Sequence, residues 1–88
     1  MLNASTTNQF KKDYQKQIKR GKDISKLDQL MTQIVFEEPL AAKHRDYPLS
    51  GNWAHYRDCH VEPDSLLIYK ASDRNVLFAR TGSHSDLF

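Results

Sequence analysis

Leu66-Leu-Ile-Tyr-Lys70, the turn Ser72-Asp-Arg-Asn75 and Val76-Leu-Phe-Ala-Arg80 decide the fold of this chain. Two short apolar runs separated by residues that tolerate tight turns predict a β-hairpin. Upstream, Trp53–Val61 alternates. Trp53, His55, Arg57, Cys59 and Val61 fall on one side, and Ala54, Tyr56, Asp58 and His60 on the other. Pro63 ends that run. Connections this short exclude parallel crossovers between the three strands, so an antiparallel meander is expected.

The N-terminal half has a different period. Met1–Ser5 is short enough for an edge strand. Thr6 with Gln9 resembles a capping box that opens a helix with the stripe Phe10, Tyr14 and Ile18, ended by Gly21. Asp23 or Ser25 caps a second helix carrying Ile24, Leu27, Leu30, Met31, Ile34 and Val35 on one side. Glu37-Glu-Pro39 stops it, because carboxylates sit badly at a helix C-terminus and Pro39 cannot continue the ladder. Leu40–Ser50 reads as a loop containing His44, Arg45 and Tyr47-Pro48, closed by a turn at Ser50-Gly51-Asn52. The sheet needs cover on one face, and the two helices are the only candidates. The expected fold class is α+β: two N-terminal helices packed on a small antiparallel β-sheet, in a single domain over residues 1–88.

Composition excludes several classes. With 39% hydrophobic and 27% charged residues the chain is neither disordered nor collagenous. No apolar run approaches a membrane span, and the first residues lack a signal-peptide pattern. Cys59 is the only cysteine, so no internal disulfide forms and a cytoplasmic location is expected. The net charge of +2 is unevenly spread. Residues 1–26 hold seven Lys/Arg against two Asp, and the remainder six against nine Asp/Glu. Lys11, Lys12, Lys16, Lys19, Arg20, Lys22 and Lys26 are either a solvated helix face or a phosphate-facing surface.

Chemistry concentrates in the last third, where His60-Val-Glu-Pro-Asp64 is followed by Arg80-Thr-Gly-Ser-His84. Taken singly, each residue has an ordinary explanation. His60 can be a surface imidazole beside a carboxylate, Asp64 a turn cap, Arg80 a snorkelling strand end and His84 part of a loose polar tail. The hairpin, however, brings all four toward one edge of the sheet. Histidines exchange protons near neutral pH and arginine steadies phosphate charge, the equipment for cutting RNA without a metal. Glu62 can orient His60. His44, His55, Cys59, His60 and His84 are not spaced as zinc ligands. Cys59 and His60, as strand neighbours, face opposite sides, so they form no nucleophile–base pair; Cys59 is assigned to the core, and His44 and His55 to the surface.

Tyr47-Pro-Leu-Ser-Gly-Asn-Trp53, Tyr56-Arg-Asp58, His60-Val-Glu-Pro-Asp64, Leu67-Ile-Tyr-Lys70 and Arg80-Thr-Gly-Ser-His84 through Leu87-Phe88 resemble the YafQ branch of the RelE/ParE toxin superfamily. The resemblance runs from about Phe10 to the last residue. It implies a bacterial type II toxin, a small endoribonuclease that enters the A site of the 70S ribosome and cuts the messenger there. It implies no cofactor, a cognate antitoxin that folds onto the toxin, and operator DNA binding by the complex through that antitoxin. It places catalysis at His60, Asp64, Arg80 and His84, with Phe88 stacking on or orienting a base. In such relatives the position of Tyr47 is often histidine and that of Ser65 often tryptophan. Tyr47 can still hydrogen-bond a phosphate or ribose but is a poor base at neutral pH. Ser65 removes a stacking surface.

The expected reaction is transesterification. A base, His60 or Asp64, takes the proton of a ribose 2′-OH, and the oxygen attacks the neighbouring phosphorus. His84 protonates the leaving oxygen, although the two imidazoles can be exchanged in this scheme, and Arg80 holds the charged phosphorane. Lys11, Lys12 and Lys16, with Tyr47 and Phe88, are candidates for RNA contact. The competing reading is a non-catalytic, ParE-like toxin acting by protein binding, but such a module needs no pair of histidines.

Overall fold

The computed structural model describes residues 1–88. Along the chain it runs β1 (Asn3–Thr6), α1 (Asn8–Lys19), α2 (Ile24–Val35), β2 (Tyr47–Pro48), β3 (Arg57–Glu62), β4 (Ser65–Ala71), β5 (Asn75–Gly82) and α3 (His84–Leu87). The strands form one sheet in the order β1-β5-β4-β3-β2. β2, β3, β4 and β5 make the antiparallel meander. β1 joins the far edge parallel to β5, which makes the sheet mixed. Short connections fix direction only between consecutive strands. β1 and β5 are separated by most of the chain, so their pairing escapes that constraint.

The sheet's helix-facing side is built from Cys59, Leu67, Tyr69, Val76 and Phe78, which meet Leu2, Phe10, Leu27, Leu30 and Ile34 in one core. α2 behaves as its stripe predicts, with Leu27, Leu30 and Ile34 buried and Asp23 accepting the Ser25 N–H at 3.1 Å. α1 departs in two details. Its cap is Thr7, which accepts the Phe10 N–H at 2.9 Å, because Thr6 is still part of β1 opposite Phe78. Its inward face carries Phe10, Asp13 and Gln17, while Ile18 is 45% exposed. Eight residues turn a helix about 80° past the starting face, so Ile18 has rotated away from Phe10 while Asp13 and Gln17 have not.

The predicted strand Trp53–Val61 is shorter than expected. Gly51–Trp53 forms a 3₁₀ turn and His55 takes a left-handed φ of 76°, so regular pairing begins only at Arg57. Asp46 holds the preceding loop against the sheet, accepting from Arg57 Nε at 2.8 Å and from the Tyr69 hydroxyl at 2.7 Å.

A register shift in β5 decides which side Arg80 serves. Tyr69 pairs with Phe78 but Ile68 pairs with Arg80, leaving Ala79 as an extra residue. In a regular strand Phe78 and Arg80 would share a face. The bulge puts Phe78 in the core and Arg80 on the opposite side.

At the end of β5, Gly82 has φ +154°, and a Cβ there would lie 3.0 Å from Asp86 Oδ2 and 3.1 Å from Asp86 Cβ. The strand can turn into α3 only because that position has no side chain. Gly82→Ala is expected to lower stability by about 1–3 kcal/mol and to displace α3. Urea unfolding gives the first quantity, and amide shifts of Ser83–Phe88 give the second.

Candidate functional site

Cross-strand register assembles the site. Residues opposite one another in antiparallel strands point to the same side. One row runs Tyr47–Asp58–Ile68–Arg80 over four strands, and the next runs His60–Leu66–Gly82. Ile68 and Leu66 are fully buried and floor these rows. Tyr47, Asp58, His60 and Arg80 therefore share the face away from the main core. α3 closes one end by placing the His84 ring 5.7 Å from that of His60, centroid to centroid.

His84 is fixed rather than loose. Asp64 Oδ1 lies 3.2 Å from His84 Nδ1 and 3.4 Å from its backbone N–H. Those hydrogen bonds, aided by the charges of His84 and Lys22, hold the exposed Asp64 carboxyl below the usual range. Ser83 and Asp86 form a capping box at the start of α3. Asp86 also receives Arg20 at 2.7 and 3.1 Å and lies 3.6 Å from Lys16. The Arg20 hydrogen bonds hold its carboxyl well below the ordinary value.

Arg80 is positioned from α1. The Asp13 carboxylate is buried and accepts Arg80 Nε at 2.7 Å, Arg80 Nη2 at 3.4 Å, the Thr81 N–H at 3.2 Å and Gln9 Nε2 at 3.0 Å. This side-on grip leaves Nη1 free to face an anion. Two buried side-chain atoms lack any partner, Asp58 Oδ1 and His60 Nδ1. Each such orphan ordinarily costs about 1–3 kcal/mol. Burial pushes the Asp58 carboxyl up, against the pull of nearby His60 and His84.

The remaining candidates fall around this centre. Tyr47 is 55% exposed at the end of the first row and Phe88 is 63% exposed just after α3. Lys12 and Lys16 line a small cleft with Asp13, Arg80 and Asp86, whereas Lys11 is exposed on α1. Cys59 is fully buried, and burial pushes its thiol far up, as suits a core residue. His44 is not the unengaged surface residue expected from its context: its Nδ1 lies 2.7 Å from the His60 carbonyl oxygen and ties the 40s loop to β3. A groove of about 790 Å³ opens beside it, lined by Lys26, Gln33, Lys43, Arg45 and Glu62 and sharing His60 with the site. No three His, Cys, Asp or Glu side chains are grouped to hold a metal ion.

Residues 2–88 match the family model described as the bacterial toxin of a type II toxin–antitoxin system, YafQ. This chain belongs to the YafQ family. The mRNA interferase toxin YafQ of Escherichia coli strain K12 is 49% identical over 81 residues, which cover 91% of this chain and 88% of that one. A putative toxin YafQ of Haemophilus influenzae is 33% identical over 91 residues, covering 96% and 89%. The crystal structure of YafQ from E. coli strain BL21(DE3) superposes with a TM-score of 0.95 at 44% identity, covering 100% of this chain and 99% of that one. YafQ within the E. coli DinJ–YafQ complex superposes at 0.94 with 45% identity and the same coverage.

Within this YafQ fold, three features escape a reading of the sequence by motifs. Asp13 looks like one more charge on a basic helix, and only its place on the Phe10–Gln17 face marks it. Asp58 shares the alternation of His60 and was therefore available as a signal. The pairing of Arg20 and Lys16 with Asp86 joins residues 66 and 70 positions apart and has no local signature. The basic helix therefore cannot be altered without reaching the histidines, because Arg20 and Lys16 hold the helix that carries His84. Asp86→Asn should free that helix. Amide exchange at Leu87 and Phe88 is expected to quicken roughly tenfold, corresponding to about 1–2 kcal/mol of cap and ion pair, while β4 and β5 keep their protection.

Proposed function

We propose that this chain is a ribosome-dependent messenger-RNA endoribonuclease, the toxin of a type II toxin–antitoxin pair, acting in the cytoplasm without a metal. The observation that carries the reading is the pair of imidazoles 5.7 Å apart, His84 on α3 and His60 on the sheet face that also bears Arg80. Relatives described as mRNA interferase toxins, 49% identical over 81 residues, support the substrate class.

In the proposed reaction His60 removes the proton of a ribose 2′-OH. The freed oxygen attacks the adjacent phosphorus, the bond to the 5′-oxygen breaks, and His84 supplies that oxygen with a proton. The products are a 2′,3′-cyclic phosphate and a 5′-OH. Asp64 is better suited to orientation than to the role of base, because hydrogen bonding from His84 keeps it ionised. With Nδ1 donated to Asp64, Nε2 of His84 is the atom that delivers the proton. Arg80, gripped by Asp13 through Nε, turns Nη1 toward the phosphorane. Positioned proton transfer contributes about 10²–10⁴-fold, and fixed charge supplies much of the rest.

Tyr47 and Phe88, exposed at opposite ends of the site, are placed to contact the neighbouring nucleotides. Lys11, Lys12 and Lys16 on α1, and Lys26, Lys43 and Arg45 along the groove beside His60, offer charge for ribosomal or messenger phosphates in the A site. The structure of a relative in the E. coli DinJ–YafQ toxin–antitoxin complex supports an antitoxin partner for this chain; that the antitoxin folds onto the chain and carries the pair to operator DNA is part of the same proposal.

His84→Ala is expected to leave folding intact and to abolish messenger cleavage in a translating extract; full activity in the folded variant removes the acid role. Arg80→Lys should lower cleavage by on the order of 10²-fold while ribosome co-sedimentation persists, because one ammonium cannot hold Asp13 and a phosphate together. Equal rates would show that a point charge suffices. Reversing Lys43 and Arg45 should reduce the log–log salt slope of ribosome binding by about two units, read by sedimentation over a salt series.

A further inference from the structure

The partnerless atoms Asp58 Oδ1 and His60 Nδ1 belong to alternate residues of β3 and lie on the same face. Their Cα atoms are separated by about 7 Å along the strand, a gap that one water or a modest side-chain rotation closes. A buried acceptor and a buried ring nitrogen two residues apart on one face, each without a partner, can satisfy each other across that gap if the ring nitrogen carries the proton. Asp58 also sits between Tyr47 and Arg80 in the site's first row.

We propose that Asp58 is a positioning residue of the site, its carboxylate holding the Nδ1–H of His60 so that bare Nε2 faces the ribose 2′-hydroxyl. This rests on the reading of His60 as the base. When Nε2 takes the hydroxyl proton, the ring becomes an imidazolium beside a carboxylate, and no proton passes to Asp58. The arrangement divides the two histidines by partner: Asp58 serves His60, and Asp64 serves His84. Burial first, and Asp46 with it, oppose the ionised form of Asp58; His60 on β3 and His84 on α3 favour it, and Tyr47 stands opposite on β2. The sequence motif Tyr56-Arg-Asp58 thereby acquires a use for its last residue.

The test begins with nitrogen-15 shifts of the His60 ring in the free, folded toxin. The expected signature is a protonated Nδ1 and an unprotonated Nε2, and the opposite tautomer overturns the proposal. In Asp58→Ala that preference should disappear, and kcat on ribosome-bound messenger should fall about 10²-fold with KM unchanged. Asp58→Asn, which keeps an acceptor without the charge, should restore the tautomer and part of the rate. Adding Asp58→Ala to His60→Ala should cost nothing further; losses that multiply show that Asp58 acts elsewhere and overturn the proposal. Should Asp58→Ala fail to fold, the wild-type ring spectrum and Asp58→Asn still decide. Full activity in His60→Ala would refute the general-base reading, while the tautomer still reports on the Asp58 pairing alone.

Discussion

On the side away from β4, the stretch of β5 from Ala79 to Gly82 has no strand beside it, since β1 pairs only as far as Phe78. Everything in the site depends on how that open edge is closed. α1 closes it. The Thr7 N–H reaches the Phe78 carbonyl at 3.1 Å, the Thr7 hydroxyl donates to the Ala79 carbonyl at 2.8 Å, and Asp13 accepts the Thr81 N–H. A buried carboxylate is expensive to desolvate and is tolerated only when its lone pairs are filled. Here Gln9, Arg80 and Thr81 fill them. Removing one partner of such a pair typically costs about 3–5 kcal/mol, so the geometry of Arg80 is bound to the docking of α1. The same helix reaches α3 through Arg20, and the arginine and the second histidine are thus mounted on one support.

The two histidines occupy unlike surroundings. His84 is exposed, at the start of a four-residue helix, and is held by Asp64 at the surface. His60 is half-buried, with its carbonyl tied to His44 and one ring nitrogen shut from water. The proposed acid–base chemistry needs two imidazoles within reach of one phosphodiester. A tie to the 40s loop marks one ring and a surface carboxylate the other, and the 5.7 Å separation of their centroids keeps both near one bond.

Much of this was legible in the sequence. Hydrophobic runs and turn residues located β4, β5 and both long helices, and alternation put Asp58 with His60 and against Cys59. Capping chemistry found Asp23 but missed by one residue at Thr7, since nothing local says that Thr6 still belongs to β1. The start of β3 was misplaced because Trp53 and His55 alternate like strand residues while a left-handed His55 breaks the ladder. What stayed hidden was long-range. The parallel pairing of β1, the Asp13–Arg80 grip and the Arg20–Asp86 pair all depend on contacts across most of the chain, where periodicity carries no information, and the bulge at Ala79 interrupts the β4–β5 alternation with no turn residue to mark it.

Positions that hold the frame and positions that stand outside it separate cleanly in this fold. Gly82, Ala79, Asp13 and Asp86 are set by backbone shape or by filled hydrogen bonds, and changing any of them moves Arg80 or His84. Tyr47 and Phe88 stand at the exposed ends of the site and take no part in that frame. Ser65 opens β4 opposite Glu62, past the bulge at Val61. Two departures from the resemblance noted in the sequence fall on this second group, at Tyr47 and Ser65. Neither side chain holds His60, Arg80 or His84 in place. The substitutions therefore leave the frame around His60, Arg80 and His84 intact, and what they change is the group presented at its rim: a phenol, a poor base at neutral pH, where an imidazole could stand, and a hydroxyl in place of a stacking surface.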